Sequence, residues 1–322
     1  MTGSGPGRVS TLRSSGTARV CPAIAFSDGP CRRPPSYTAI GLFELVYPAQ
    51  ETGLAWWPVA VVIGLLLVLN VVNNRVAPQT HYLLWAFGGS VLLLAIGLLD
   101  GNTWTDMGLG WGYLLPGLIW AGASIALVTA VYLVGSAFRR TRTAFHDERM
   151  GDLSGGRMVF QALVEVPFGT VLLEEIAFRA VLLSMLVRRF GLVWGIVLSS
   201  VIFGLWHILP SIGTHEQSAA LGSVVGEGRR GNILAVALSV LTTSVAGVLF
   251  AFLRLLSGSV LAPMGLHWAT NGLGYAFSWL LIRTRNRRRE RHRQSVREKL
   301  DRQNRERQHP DDTREAWKWG GE

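Results

Sequence analysis

The amino-acid sequence predicts an all-α fold, a polytopic transmembrane helical bundle with seven to eight spans. Three observations carry that reading. Of 322 residues, 49% are hydrophobic and only 16% are charged, against about 25% charged in a soluble domain. The apolar residues come in long charge-free runs, and about 20 such residues cross a bilayer. The arginines gather between runs and after the last one, where they orient a membrane protein. With a mean hydropathy of +0.30, these features exclude a disordered chain, a disulfide scaffold and an ordinary soluble enzyme.

Residues 1–51 read as a disordered or interfacial segment. Residues 1–36 are rich in Gly, Ser, Pro and Arg without periodicity, and no apolar stretch of signal-peptide type follows their arginines. Residues 37–51 are too short to span. Cys21 and Cys31 lack metal-binding spacing and read as incidental thiols. Residues 52–157 supply accessory spans at 52–74, anchored by Trp56 and Trp57, at 76–99 and at 107–138. Residues 158–282 supply four more, at 158–187, 190–209, 231–253 and 255–282. The first of these is longer than one crossing and contains Glu165, Glu174, Glu175 and Arg179. It is expected to divide into an amphipathic or broken part and a spanning part.

Residues 283–322 form a basic tail, with nine Arg or Lys against two Glu in 283–299. The tail and the loop 139–157, with Arg139, Arg140, Arg142 and Arg149, belong on the cytoplasmic side. The loop 100–106, with Asp100 and Asp106, belongs outside. Seven spans then put the N-terminus outside; an eighth would put it inside. Arg188 and Arg189 fit poorly in a short external turn. The tail reads as a topology signal that also attracts anionic lipid, at about 1 kcal/mol per basic residue near the surface. It lacks the aromatic interleaving of a nucleic-acid-binding segment, so no nucleic acid is expected.

An ionisable side chain at mid-span costs about 2.5–3.5 kcal/mol on insertion scales. Glu165, Glu174, Glu175, Arg179, His207, Arg254 and His267, with the uncharged Asn271, all fall in the second half of the chain. Glu175 and Arg179 stand four apart and share a helix face, whereas Glu174 is turned about 100° away. One division of labour gives Glu175 and Arg179 to structure and Glu174 to chemistry; the other makes all three a structural cluster. Phe203 and His207 share a face, as do His267 and Asn271, and small Gly204 permits close helix approach. Each pair taken alone also suits interhelical hydrogen bonding, worth about 0.6 kcal/mol on average.

Read together, EEIAFR at 174–179, FGLWH at 203–207 and HWATN at 267–271 resemble the ordered EExxxR, FxxxH and HxxxN motifs of the CPBP family of intramembrane proteases. That family includes the type II CAAX prenyl endopeptidases and bacterial Abi-type proteins. The resemblance covers roughly residues 158–282. It implies a hydrophilic chamber open to the cytoplasmic leaflet, in which Glu174 and His207 activate water and His267 and Asn271 stabilise the oxyanion. Glu175, Arg179 and Phe203 support them. A carboxylate out of bulk water is a stronger base, and preorganised donors supply about 3–4 kcal/mol to a developing oxyanion. Glu174, His207 and His267 also form a three-ligand set for one divalent metal such as zinc, with an open water position. The sequence does not choose between that and a metal-free Glu/His mechanism. A metal-bound Glu174 would not serve freely as base, and Glu175 would have to be reconsidered.

Other protease chemistries fit poorly. His215-Glu216 is followed by Ala219 where HExxH requires a second His. No aspartate lies within a span, and Gly122-Ala123-Ser124-Ile125 lacks the last Gly of GxSG. The alternatives outside proteolysis are a non-catalytic scaffold or bacteriocin-immunity protein of the same fold, and a transporter. The use of Arg over Lys, with only Lys299 and Lys318, points to a GC-rich bacterial genome and a bacterial cell membrane. Bacteria generally lack protein prenylation. The expected substrate is therefore a leader peptide, a bacteriocin-like peptide or a membrane-protein segment.

Overall fold

The structure is a computed structural model that describes residues 53–138, 141, 153–214, 222 and 224–308, and among these it contains helices and no strand. The readings of residues 1–51, of the arginines at 139, 140, 142 and 149, and of His215-Glu216 lie outside the described residues.

Helix α1 (Trp57–Val71), with Pro58 in its first turn, continues through a wide-turned segment, Val72–Val76. A short turn, Gln79–His81, leads into α2 (Tyr82–Leu99), and another, Trp111–Tyr113, into α3 (Leu114–Ala137). The next helix opens at Gly155, where the Ser154 hydroxyl accepts the Arg157 N–H as an N-cap. From there the chain is helical to Trp206 except at Gly191, whose φ of 78° and ψ of 173° suit only glycine. Gly195 packs so closely on Val187 that an added Cβ would lie 2.5 Å from its side chain. Residues 155–190 (α4) and 192–206 (α5) therefore form a hairpin. Helix α6 (Gly228–Ser257) stops at left-handed Gly258, φ 70°. Helix α7 (Leu261–Trp268), a wide segment Ala269–Leu273 and α8 (Gly274–Gln308) follow.

Five helical runs are long and apolar enough to cross a membrane: Trp57–Val76, Tyr82–Leu99, Trp111–Ala137, Gly155–Trp206 and Gly228–Ser257. Two details differ from the sequence reading. The expected break within 158–187 is absent; instead α4 widens over Gln161–Val171 and Ile176–Leu182. Pro167 has no N–H to give the preceding turn, and a widened turn accommodates the missing bond. The expected span 255–282 divides, because α6 runs to Ser257 and the chain restarts at Leu261. The tail, which the sequence allows as a solvated helix or as a disordered segment, is helix over residues 283–308, continuous with α8.

Burial concentrates on the middle of α4. Leu173, Glu175, Ala177, Phe178, Arg179, Ala180, Val181 and Leu182 are all inaccessible or nearly so. Helices α5 and α6 close on each other through small residues, with Gly204 against Ser244 and Gly247 against Ser200. Outward faces carry Leu67, Leu84, Leu127 and Leu241, all exposed, as lipid-facing helices require.

The end of the bundle that carries the 100–110 loop is tied shut by arginines. Buried Arg189 donates to the Asp100 carboxylate (Nη1–Oδ2 2.8 Å) and to the Ala55 carbonyl (Nη2–O 2.8 Å). Arg188 donates to the Asp100 carbonyl (2.9 Å), and Arg254 to that of Asp106 (2.7 Å). Arg188 and Arg189, awkward as free charges in an external turn, are thus held by a carboxylate and backbone carbonyls. The opposite end carries the end of α1, the start of α4 and the root of the tail, where Trp279 donates to Leu153 (2.9 Å).

Candidate active site

Glu174 and Glu175 fall between the two wide-turned segments of α4. Glu175 is fully buried. Its Oε1 accepts from His267 Nδ1 at 2.8 Å and stands 3.4 Å from Arg179 Nη1. The Arg179 guanidinium is enclosed by aromatic faces rather than by hydrogen bonds. It lies 3.9 Å from the Phe203 ring centre, 4.8 Å from Phe250 and 5.9 Å from Phe178. Neither Nη atom has a hydrogen-bond partner among the described residues. Phe250 also stacks on His267, with centroids 5.1 Å apart and planes inclined by 27°.

His207 terminates α5 and bonds through Nδ1 to the Phe203 carbonyl at 2.8 Å. A carbonyl only accepts, so this Nδ1 carries the proton, and in the neutral ring Nε2 is bare. The same reasoning makes His267 Nδ1 the donor to Glu175. Both Nε2 atoms face Glu174 Oε2, at 3.9 Å from His207 and 3.8 Å from His267. Glu174 is 6% exposed; its Oε1 accepts from Trp206 Nε1 at 3.1 Å, whereas its Oε2 is buried without a partner among the described residues. Trp206 and His207, adjacent where the helix gives out, therefore converge on one carboxylate. Asn70 on α1 fixes that corner by donating to the Trp206 carbonyl at 2.7 Å.

The structure thus brings Glu174, Glu175, Arg179, Phe203, His207 and His267 into one cluster. Asn271 lies beyond His267 in the wide segment Ala269–Leu273, half-buried, its carbonyl accepting the Gly274 N–H and its side chain without a hydrogen-bond partner among the described residues. Trp206 and Phe250 belong to the cluster although the sequence reading gave them no role. An indole N–H in an apolar span needs an acceptor, and that signal pointed to Trp206; nothing in the sequence singled out Phe250. A cavity of about 260 Å³ reaches Glu174 and His207 past Asn73, Tyr82 and Thr170. A second, of about 220 Å³, shares Asn73, Tyr82, Thr170 and Tyr275 with it and extends to Arg157 and Glu165.

Two imidazoles and a carboxylate are zinc donors by type. Their spacing does not match. Bonds of 2.0–2.1 Å in a tetrahedron put donors about 3.3 Å apart, and the carboxylate-to-imidazole gaps here are 3.8 and 3.9 Å. Among the described residues, no group of three or more His, Cys, Asp or Glu is arranged to hold a metal ion.

A helical membrane bundle that buries a Glu/His/His cluster beside a cavity of about 260 Å³ has the elements of an intramembrane hydrolase. Residues 157–273 match the family model described as type II CAAX prenyl endopeptidase Rce1-like, a match over this segment that supports kinship with the CPBP/CAAX proteases. The match supports a CAAX-type intramembrane protease, and with the apolar helices it marks an integral membrane protein. No curated protein and no solved structure matches the chain.

Proposed function

We propose that the chain is an endopeptidase that hydrolyses a peptide bond of a membrane-associated protein or peptide, with water activated by Glu174 and His207. One observation carries this: the buried Glu174 Oε2, without a hydrogen-bond partner among the described residues, is faced by the bare Nε2 of the neutral His207 ring at 3.9 Å. A water hydrogen-bonded at about 2.8 Å to two atoms fits between atoms so spaced. It gives one proton to Glu174 Oε2 and one to His207 Nε2 as hydrogen bonds, and its free lone pair faces the scissile carbonyl carbon.

On attack, the C–O bond forms, the proton passes to Glu174, and the carbonyl oxygen becomes an oxyanion. His267 and Asn271 are the donors we assign to it. For His267 the role requires the doubly protonated ring, because Nδ1–H is engaged by Glu175. Collapse breaks the C–N bond, and the proton on Glu174 goes to the leaving nitrogen. No step is routed through a metal, since the donor spacing does not fit one. The cavities open at the end that bears the tail root, which supports access from the cytoplasmic side of a bacterial membrane. There the tail meets anionic lipid.

The test uses purified protein in liposomes with mixed-sequence, lipid-anchored, internally quenched peptides. Glu174→Gln keeps an acceptor for Trp206 and removes the base. It is expected to lower cleavage by about 10²–10⁴-fold with its unfolding midpoint nearly unchanged. Cleavage at the wild-type rate, or a wild-type protein that cuts none of the probes, overturns the proposal and favours a non-catalytic scaffold.

A further inference from the structure

The two cavities meet where the Tyr82 hydroxyl and Thr170 Oγ1 lie 2.8 Å apart, with the Tyr82 ring laid on Gly169 so closely that a Cβ there would come within 2.3 Å of it. Asn73 lines both cavities. It belongs to a group of three asparagines at the end of α1, and the other two are committed. Asn70 donates to the Trp206 carbonyl at 2.7 Å, and Asn74 donates to Asn70 Oδ1 at 2.7 Å. Asn73 Oδ1 is buried and has no partner among the described residues. A buried acceptor left unpaired costs about 1–3 kcal/mol, and this one stands on the way to Glu174. A carboxamide offers an acceptor and a donor side by side, the reverse of what the N–H and C=O of one residue present along an extended chain.

We infer that Asn73 binds the backbone of the substrate segment leading to Glu174, accepting a peptide N–H on Oδ1. The inference rests on the endopeptidase reading and narrows its substrate class. The N–H groups of a helical span are bonded within the helix, so the segment held by Asn73 is extended. Recognition is by main chain, and side-chain sequence matters little at this position. A helical transmembrane substrate has to unwind locally before it is cut.

The experiment replaces single backbone amides of a probe peptide by esters, which removes one N–H at a time. Binding of each peptide is measured by fluorescence anisotropy to the full chain carrying Glu174→Gln, in nanodiscs, with Asn73 intact or as Asn73→Ala. With Asn73 intact, one ester position is expected to weaken binding about fivefold, the worth of one neutral hydrogen bond. In Asn73→Ala the same ester has no effect. In otherwise wild-type protein, Asn73→Ala is expected to raise KM for all peptides alike and leave kcat within about twofold. An ester scan that shows no sensitive position with Asn73 intact overturns the inference without relying on any Asn73 variant to fold. Identical scans in the two backgrounds, no peptide binding, or a loss confined to kcat overturn it as well. Asn73-dependent, ester-sensitive binding without cleavage by the wild type would sink the endopeptidase reading and leave this inference standing.

Discussion

The Glu175–Arg179 pair permits a worked prediction. Both side chains are essentially inaccessible, at 0% and 1%, and stand 3.4 Å apart. Removing one partner of a buried pair costs about 3–5 kcal/mol, because the other charge is left uncompensated. In Glu175→Gln the orphan is a guanidinium that still faces three phenylalanine rings; desolvated cation–π contacts offset about 2 kcal/mol, so the net loss is about 1–3 kcal/mol. In Arg179→Met the orphan is a carboxylate that keeps only His267, so the loss is about 3–5 kcal/mol. The double variant leaves no orphan charge, and methionine packs well against rings. Replacing a buried pair by neutral groups is often close to neutral, so the double variant is expected to lose about 1–2 kcal/mol. The sum of the single losses should exceed the double by about 4 kcal/mol, far outside the few tenths of independent sites. Reversible unfolding in mixed micelles, followed by tryptophan fluorescence, measures all four proteins. Additive losses, or a harmless Arg179→Met, would show that the contact does not hold the fold together.

Other outcomes follow from the same geometry. Phe250→Leu keeps an apolar side chain and removes the ring stacked on His267. It is expected to lower kcat about tenfold with KM little changed and a stability loss of about 1–2 kcal/mol, read by steady-state kinetics beside a melting curve. Arg189→Met strips the buried Asp100 of its bidentate partner and should destabilise by about 3–5 kcal/mol, while cleavage per folded molecule stays at the wild-type level. Cleavage in the presence of a strong chelator should match cleavage without it, since the donor gaps of 3.8 and 3.9 Å do not fit a bound ion; loss of activity restored by added zinc would refute that reading.

Much of the fold was legible because charge-free runs of bilayer length have few other uses. What escaped was detail that an apolar pattern does not encode. A widened turn in a helix buried on most sides leaves hydropathy unchanged, so the segments Gln161–Val171 and Ile176–Leu182 gave no signal beyond Pro167. Arg188 and Arg189 looked misplaced because their partner, Asp100, is 88 and 89 positions away in the chain. At the site, i,i+4 spacing pointed to Glu175 with Arg179 and to Phe203 with His207. The same rule tied Asn271 to His267, but the helix widens from Ala269. There i→i+5 bonds close the turns, a change of pitch that the 3.6-residue rule does not anticipate. Three asparagines in the run VLNVVNNRV were visible and unread, since an uncharged amide stands out less than a charge.

In the proposed mechanism, the assignment of the two adjacent glutamates turns on what each carboxylate meets. Glu175 Oε1 serves both His267 and Arg179; its Oε2 is buried without a partner among the described residues, and withdrawing the carboxylate would release an imidazole and a guanidinium together inside the core. A base has to accept a proton and give it up again without undoing the site. Glu174 is built for that use, with Oε1 steadied by the Trp206 indole and Oε2 turned to the imidazoles without a partner of its own. The carboxylate that holds the scaffold and the one that meets water are therefore neighbours in the chain, set about 100° apart by a single helical step. Under the proposed mechanism, exchanging their roles would put the reacting proton on the group that keeps His267 and Arg179 in place.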